Sequence, residues 1–421
     1  MKNKIGGKKN VDVCVVGGGA SGLMAAICAG RQGASVLLLE KKNRAGKKLL
    51  ATGNGKCNYS NWMQEPGCYR GNSPALCGRI LEKFPVKDTV EWFREIGILP
   101  SEREGYLYPA SGQAASVLRA LERESGHAGV ELHTEEEVIS LEHQDEPGRF
   151  LVRTAKGCYA AGAVILATGG MASPVHGSTG DGYGFAKKLG HRLIAPLPAL
   201  TSLVLSEGFT KQWAGMRVKG KVSLYNESGK LLAEDKGEVQ MVSYGISGIP
   251  VFQVSRFAAV ELAAGRSVTL VLDSMPDWQE ERLYRELLRR KGRDPGQSMG
   301  DLLDGILPDK LAAVYLKLAG NLIAKPVGEI REKTVKKLAG LICHLELRVK
   351  DTSGFDKAQV TAGGIPLEEI NGESMESRCC PGLYLAGELL DVDGICGGYN
   401  LQWAWTTGYL AGCAAGGRAG K

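Results

Sequence analysis

The stretch from Val11 to Glu40 limits the chain's options more than any other. Val11–Val16 reads V-D-V-C-V-V, an apolar run of strand length and largely β-branched character. Gly17-Gly18-Gly19-Ala20-Ser21-Gly22 follows and fits G-x-G-x-x-G. Leu23–Arg31 is then helix-forming, and Ser35–Leu39 is a second strand that ends in Glu40. In such a βαβ unit Gly17 permits the tight turn, Gly19 lets the main chain approach a pyrophosphate, and Gly22 lets helix and strand pack closely. Backbone N–H groups at the positive end of the helix hold the phosphate. Glu40 can accept hydrogen bonds from an adenosine ribose, and its charge disfavours a 2′-phosphate. The expected nucleotide is FAD or NAD rather than NADP.

A length of 421 residues calls for two or three domains. With 43% hydrophobic and 23% charged residues, a disordered chain, a coiled coil and a polytopic membrane protein are excluded. Glycine is abundant, 58 residues, but lacks the triplet period of collagen, so it marks tight turns near ligand. A net charge of +6 is well short of the concentrated field of a nucleic-acid binder, and no nucleic-acid partner is expected. Eleven cysteines without a C-x-x-C pair read as reduced thiols of a cytoplasmic protein. The six histidines lack metal-ligand spacing, so no metal is expected. The basic leader Met1–Asn10 before Val13–Gly30 imitates an export signal. Glycines at 17, 18, 19, 22 and 30 spoil that run as an apolar helix, and neither export nor a membrane span is expected.

Gly46–Asn58 mixes glycine with Lys, Thr and Asn. It is a poor strand and a poor helix, and it reads as a loop that touches flavin or phosphate, or else as a basic surface loop. Lys87–Ile96 and Ser111–Ser125 carry amphipathic helix patterns, the second capped by Ser111. Glu131–Leu141 and Arg149–Thr154 alternate as strands. Ala163–Ala167 is a buried strand that opens into Thr168-Gly169-Gly170, and Gly177–Gly182 starts a helix, with His176 in the loop between. Lys41 and Lys42 read by default as solvated charges. Pro196 and Pro198 mark a linker, Leu203–Met275 is rich in short strands, and Asp277–Leu345 is helical. Its basic clusters, Arg289-Arg290-Lys291 and Arg331–Lys337, read first as solvated helix faces. Gln359–Gly364 and Gly382–Ala386 are strands meeting glycine turns, the latter at Gly387-Glu388. Gly394–Gln402 leads into a last helix through Trp403 and Trp405. A second glycine-preceded helix N-terminus suits the pyrimidine end of a reduced flavin, so two separated anion-friendly ends favour a ligand as long as FAD.

Gly17–Ala26, Gly46–Asn58 and Gly382–Trp405 together resemble the BaiN-type family of FAD-dependent flavoprotein oxidoreductases, with the loop Gly177–Gly182 fitting as well. The family usually has arginine where Lys56 stands, and often another small residue in place of Cys396. The resemblance implies an α/β fold: a Rossmann-like FAD-binding domain of glutathione-reductase type, discontinuous in sequence, with an inserted β-barrel domain and a small helical subdomain. The implied division is 1–194 and 354–421 for the FAD domain, 195–275 for the barrel (completed by 343–353), and 276–342 for the helices. It implies cofactor contacts at Gly17, Gly19, Ala20, Ser21, Gly22, Glu40, Lys41, Gly46, Lys48, Thr52, Gly53, Asn54, Val138, Ala167, Thr168, Gly169, Gly387, Glu388, Gly398, Asn400 and Leu401. The implied reaction is reduction of a conjugated C=C bond in an apolar 3-oxo bile-acid or steroid-type substrate.

In that chemistry a protein group must protonate the product or polarise the substrate carbonyl, and Tyr399, Lys56 and His176 are the candidates. Cys57 lacks a second cysteine at exchange spacing. With one complete dinucleotide fingerprint, NAD(P)H is expected as a transient electron donor without a Rossmann domain of its own. The alternatives are a flavin dehydrogenase, or a non-catalytic FAD-binding redox sensor or RNA-associated flavoprotein.

Overall fold

A computed structural model describes residues 9–144 and 150–419. Residues 1–8 of the basic leader, and Arg149 of an expected strand, lie outside them. Two compact units divide the chain, Met1–Leu197 with Val360–Lys421, and Pro198–Gln359.

The first unit is built on a seven-stranded sheet. Strand β1 (Lys9–Val16) leads into helix α1 (Ala20–Arg31) and strand β2 (Val36–Leu39), and β1 pairs in parallel with β2 and with β3 (Cys158–Leu166). Strand β4 (Leu383–Leu385), from the far end of the chain, pairs in parallel with β3. The order continues outward through Glu131–His133 on one side, and through Phe150–Thr154 and Val138–His143 on the other. Near-continuous burial of β1 beyond Asp12, and of all of β2, is what a parallel sheet covered on both faces requires. One cover is α1. Another is the final helix α2 (Tyr399–Ala419). Their backbones nearly touch: a β-carbon on Gly412 would stand 2.3 Å from Ala25 O, and one on Gly408 would stand 2.5 Å from Ser21 O.

Several sequence-based boundaries shift. The run 131–141 is two strands, because Glu135 adopts a left-handed φ of 53° and turns the chain between them. The helix after Ser111 begins at Ala114 with Gln113 at its cap. Gly112, at φ 61°, still belongs to the preceding turn, so Ser111 caps nothing. Within 46–58, Lys47–Ala51 closes a helical turn where a plain loop was expected. Pro196 and Pro198 lie within a short strand, Ile194–Ala199.

The second unit contains a closed six-stranded barrel, in the order Leu203–Leu205, Gly245–Ser247, Leu231–Val242, Arg217–Asn226, Val268–Asp273 and Leu345–Thr352. Its last strand arrives after the helical segment. The unexpected helix Ile249–Ala263 follows the fourth of its strands in chain order. The basic cluster at 289–291 is not merely solvated. Arg290 Nη1 donates to Leu302 O at 3.1 Å and Asp304 O at 2.8 Å, and Lys291 Nζ donates to Val327 O at 2.9 Å, so both cations tie neighbouring loops to their helix. Among the described residues no helix is long and apolar enough to cross a membrane.

Candidate functional site

The glycines of the first turn divide by what surrounds them. Gly17 has φ 103°, and a β-carbon on it would meet Ala167 O at 2.5 Å; one on Gly22 would meet Gly17 O at 1.8 Å. Both therefore serve the crossing of β1, α1 and the end of β3. Gly19 differs: no atom lies within 4 Å of where its β-carbon would stand, so open space faces the main chain there. Gly19 is also the N-cap of α1 and offers no side-chain cap, which leaves the first-turn N–H groups of Ala20 and Ser21 directed at that space. Glu40 closes the turn from below. Its Oε2 accepts from Gly18 N at 2.8 Å and its Oε1 from Lys42 N at 2.7 Å, and each oxygen keeps a second lone pair for a ribose hydroxyl.

Beside Glu40 a cavity of about 500 Å³ is lined by Lys41, Lys42, Asn43, Lys47, Glu135–Glu137, Ala155 and Lys156. Val138, one residue beyond that lining, is buried at the start of its strand. Burial raises the Glu136 carboxyl, but donors from Tyr159 (2.6 Å), Thr154 (2.7 Å) and His133 (3.0 Å) outweigh it and hold the group below its ordinary range. Lys41, expected as a solvated charge, is ion-paired with Asp181 at the start of the helix Asp181–Lys188.

The two ends of the chain meet around the other half of the site. Lys48 Nζ reaches Glu388 Oε2 at 2.8 Å, and Thr361 N donates to Glu388 Oε1 at 2.9 Å. Gly387, at φ 74°, sits on α1: a β-carbon there would be 2.5 Å from Ser21 Oγ. Beyond the 46–58 segment, Ser60 Oγ bonds Gln402 Oε1 at 2.6 Å and Trp405 Nε1 donates to Tyr59 O at 2.9 Å. Asn61 Nδ2 donates to Gly397 O at 3.1 Å. Gly53 and Asn54 are both left-handed, φ 55° and 54°, which turns successive N–H groups to one side of an exposed loop. Thr52 spends its hydroxyl on Leu49 O. Gly46, φ 69°, starts that helical turn tight against Leu118.

Not every expected residue presents a side chain to this space. Asn400 uses its amide on its own loop, accepting from Gly394 N at 2.8 Å and donating to Gly394 O at 2.9 Å, so it shapes the turn before α2. Leu401 is half-buried against the core. Thr168 donates to Gly169 O and faces Gly182 at the start of its helix. Tyr399 is 4% exposed and hydrogen-bonded to Cys68, and burial raises its phenol further above the ordinary value. That weakens it as an acid. Lys56 is exposed, and His176 ends a short turn at Pro174–His176. Nothing in the geometry joins Lys56, His176 and Tyr399 into one constellation. The Cys57 thiol is buried and pushed up to about 12 by that burial. Sequence reasoning passed over Thr361, whose Oγ1 accepts from Met171 N and Ala172 N behind Gly170, and Tyr106 beside Gly397. An isolated threonine and a hairpin tyrosine carry no motif.

His191, Glu369 and Cys379 lie together, with ligand-type atoms within 4.8 Å of one another. Ser377 Oγ accepts from Cys379 N and Cys380 N, so its hydroxyl donates to His191 Nε2 at 2.8 Å, leaving Nδ1–H for Glu369 at 2.9 Å. His191, Glu369 and Ser377 thus form a clamp between the end of the helix Asp181–Lys188 and the 367–380 segment, to which Cys379 contributes its backbone N–H.

A family model for the HI0933-like protein Rossmann domain matches residues 11–414. The 3-dehydro-bile acid delta(4,6)-reductase of Clostridium scindens is 42% identical over 403 residues, 95% of this chain and 98% of its own. The ribosomal RNA dihydrouridine synthase of Haemophilus influenzae is 29% identical over 398 residues, 94% of this chain and 96% of its own. Among solved structures, the 3-ketosteroid-delta4-(5alpha)-dehydrogenase of Rhodococcus jostii superposes with a TM-score of 0.51 at 17% identity, covering 99% of each chain. That last likeness speaks for the fold.

Proposed function

The chain belongs to the HI0933-like protein family, and from that premise we propose that it is an FAD-dependent reductase of conjugated C=C bonds in a 3-oxo bile-acid or steroid-type substrate. The observation that carries this reading is the parallel packing of α1 against α2, Ser21 beside Gly408 and Ala25 beside Gly412, which turns two glycine-preceded helix N-termini, at Gly19 and behind Gly397 and Gly398, the same way within one unit. A dinucleotide with charge or acceptors at both ends fits such a pair. In this reading α1 and Gly19 hold the pyrophosphate, Glu40 the adenosine ribose, and Val138 with the adjoining cavity the adenine. Lys48 and Glu388 line the ribityl chain, and the turn Gly397–Asn400 faces the pyrimidine.

FAD, when bound, supplies hydride to the electron-poor carbon of an enone. The protein's part is to orient the substrate over that group, keep bulk water away and stabilise charge on the carbonyl oxygen. NAD(P)H serves as a transient donor, since one dinucleotide fingerprint, that of Gly17–Gly22, is present in the sequence. The substrate class rests on the 42% identity to the bile-acid reductase over almost the whole chain.

A second reading, reduction of a uridine in ribosomal RNA, is supported by the 29% identity to the Haemophilus enzyme over 94% of this chain. The test is anaerobic: reduce the protein with NADH or NADPH, then add a 3-oxo-4,6-diene steroid or unmodified ribosomal RNA. Reoxidation by the diene, with one C=C bond lost for each two-electron oxidation of the flavin, supports the first reading. Reoxidation by RNA, with affinity falling steeply as salt rises, supports the second.

A further inference from the structure

Pro100–Arg103 and Tyr106–Pro109 form a hairpin that pairs with Ser60–Asn61. Its tip is linked to the turn before α2 through Trp62 and Asn61. Asn61 Nδ2 donates to Gly397 O at 3.1 Å, and Trp62 N donates to Gly105 O at 2.9 Å. Tyr106 Cε1 lies 2.9 Å, and Tyr399 Cε2 3.0 Å, from where a β-carbon on Gly397 would stand. Gly397, at φ 130°, lets both rings close on the turn.

The two tyrosines differ in access. Tyr399 is 4% exposed, edge-on to Tyr69 with ring centroids 5.7 Å apart, and bonded to Cys68. Tyr106 is 36% exposed, and Met63, whose Cγ would be 3.4 Å from a β-carbon on Gly105, is 56% exposed. Large apolar surface held open beside a ligand-facing turn is characteristic of a binding site. Its charge is also informative. The ionisable acids and bases of segments 60–66 and 100–109 are Glu65, Glu102, Glu104 and Arg103, three anions against one cation. That balance repels a polyphosphate backbone and tolerates a neutral ring system.

We propose that Tyr106, with Met63 beside it, forms the substrate-facing wall of the site and donates a hydrogen bond to the carbonyl oxygen of a fused-ring enone that is uncharged at its reacting end. The assignment rests on the FAD-reductase reading above. As negative charge gathers on that oxygen during reduction, the phenol O–H stabilises it, while Tyr399 supports the turn from within. Tyr106 thus takes the role that the sequence offered to Tyr399.

The test uses the full-length FAD-loaded protein and its Tyr106→Phe and Tyr399→Phe variants. The enzyme is reduced with dithionite and mixed with a 3-oxo-4-ene steroid, and reoxidation is followed by stopped flow. Tyr106→Phe should slow that step about 100-fold, as loss of one oxyanion donor does, while reoxidation by molecular oxygen stays unchanged. The carbonyl stretch of enone bound to the oxidised protein, shifted to lower frequency by wild type, should return toward its solution value in Tyr106→Phe. Wild-type rate and stretch in Tyr106→Phe would overturn the assignment of Tyr106 alone. A wild-type protein that holds FAD yet neither binds nor reduces the enone would overturn the reductase reading, and this inference with it.

Discussion

Lys48 Nζ lies 2.8 Å from Glu388 Oε2, an ion pair that spans 340 positions of sequence. It joins the segment that follows Glu40 to the exit of β4. Because the second Glu388 oxygen accepts Thr361 N, the carboxylate is fixed at both ends. Both side chains are largely shielded, at 26% and 18% exposure, so the pair is worth more than an ordinary surface contact.

Replacing Glu388 by Gln should therefore weaken FAD binding by about 10- to 100-fold, following the ~1.5–3 kcal/mol typical of a charge-assisted bond. Flavin fluorescence quenching on titration of the apoprotein measures it. Unchanged affinity would remove Glu388 from the site.

Gly19→Ala and Gly22→Ala should separate binding from folding. A methyl at Gly22 meets Gly17 O at 1.8 Å and should cost about 3 kcal/mol of stability, read by urea denaturation of the apoprotein. A methyl at Gly19 meets nothing within 4 Å, so Gly19→Ala should melt close to wild type. Its methyl projects into the space assigned to the pyrophosphate, and FAD affinity should drop at least tenfold, an order-of-magnitude expectation for blocked backbone approach.

The contrast between those two glycines also shows what the sequence could and could not convey. The strand–turn–helix and its glutamate were legible because backbone approach to a phosphate demands glycine at fixed spacing, and a buried parallel strand demands unbroken apolar residues. The barrel was legible as many short strands, although Ile249–Ala263 was not, because apolar residues such as Ile249 and Val260 also stand on its exposed side and blur the helical period. Asn400, expected to contact the cofactor, spends its side-chain amide within its own loop, and Tyr399, a candidate proton donor, is buried. Side-chain direction depends on tertiary contacts such as Asn61 with Gly397, which no local pattern encodes.

Alkaline conditions should destabilise the fold. The thiols of Cys14 and Cys57 are each pushed by burial from an ordinary 9.0 up to about 12. Between pH 9 and 12 the unfolded chain has lost these protons while the folded chain keeps them. Stability is therefore full below pH 9 and falls as pH rises through that window, by up to about 1.4 kcal/mol per unit for each thiol. Thermal melts from pH 7 to 11 check the slope. Iodoacetamide at pH 8 should label exposed Cys379 while leaving Cys57 untouched.

Lys291→Met should destabilise Pro198–Gln359 without altering any affinity for nucleic acid, because the ammonium caps the carbonyls of Val327 and Ile330. A cost of about 1–3 kcal/mol is expected. Hydrogen exchange resolved by peptide should show faster opening around 327–330, and filter binding to ribosomal RNA should match wild type.

The most direct measurement is a titration of apoprotein with FAD, run in parallel on wild type and on Gly19→Ala. Binding of one FAD per chain by wild type, sharply weakened in a variant that remains folded, is the predicted result. A wild-type protein that is isolated colourless and takes up no FAD, or a Gly19→Ala variant that binds it as tightly as wild type, would contradict the account.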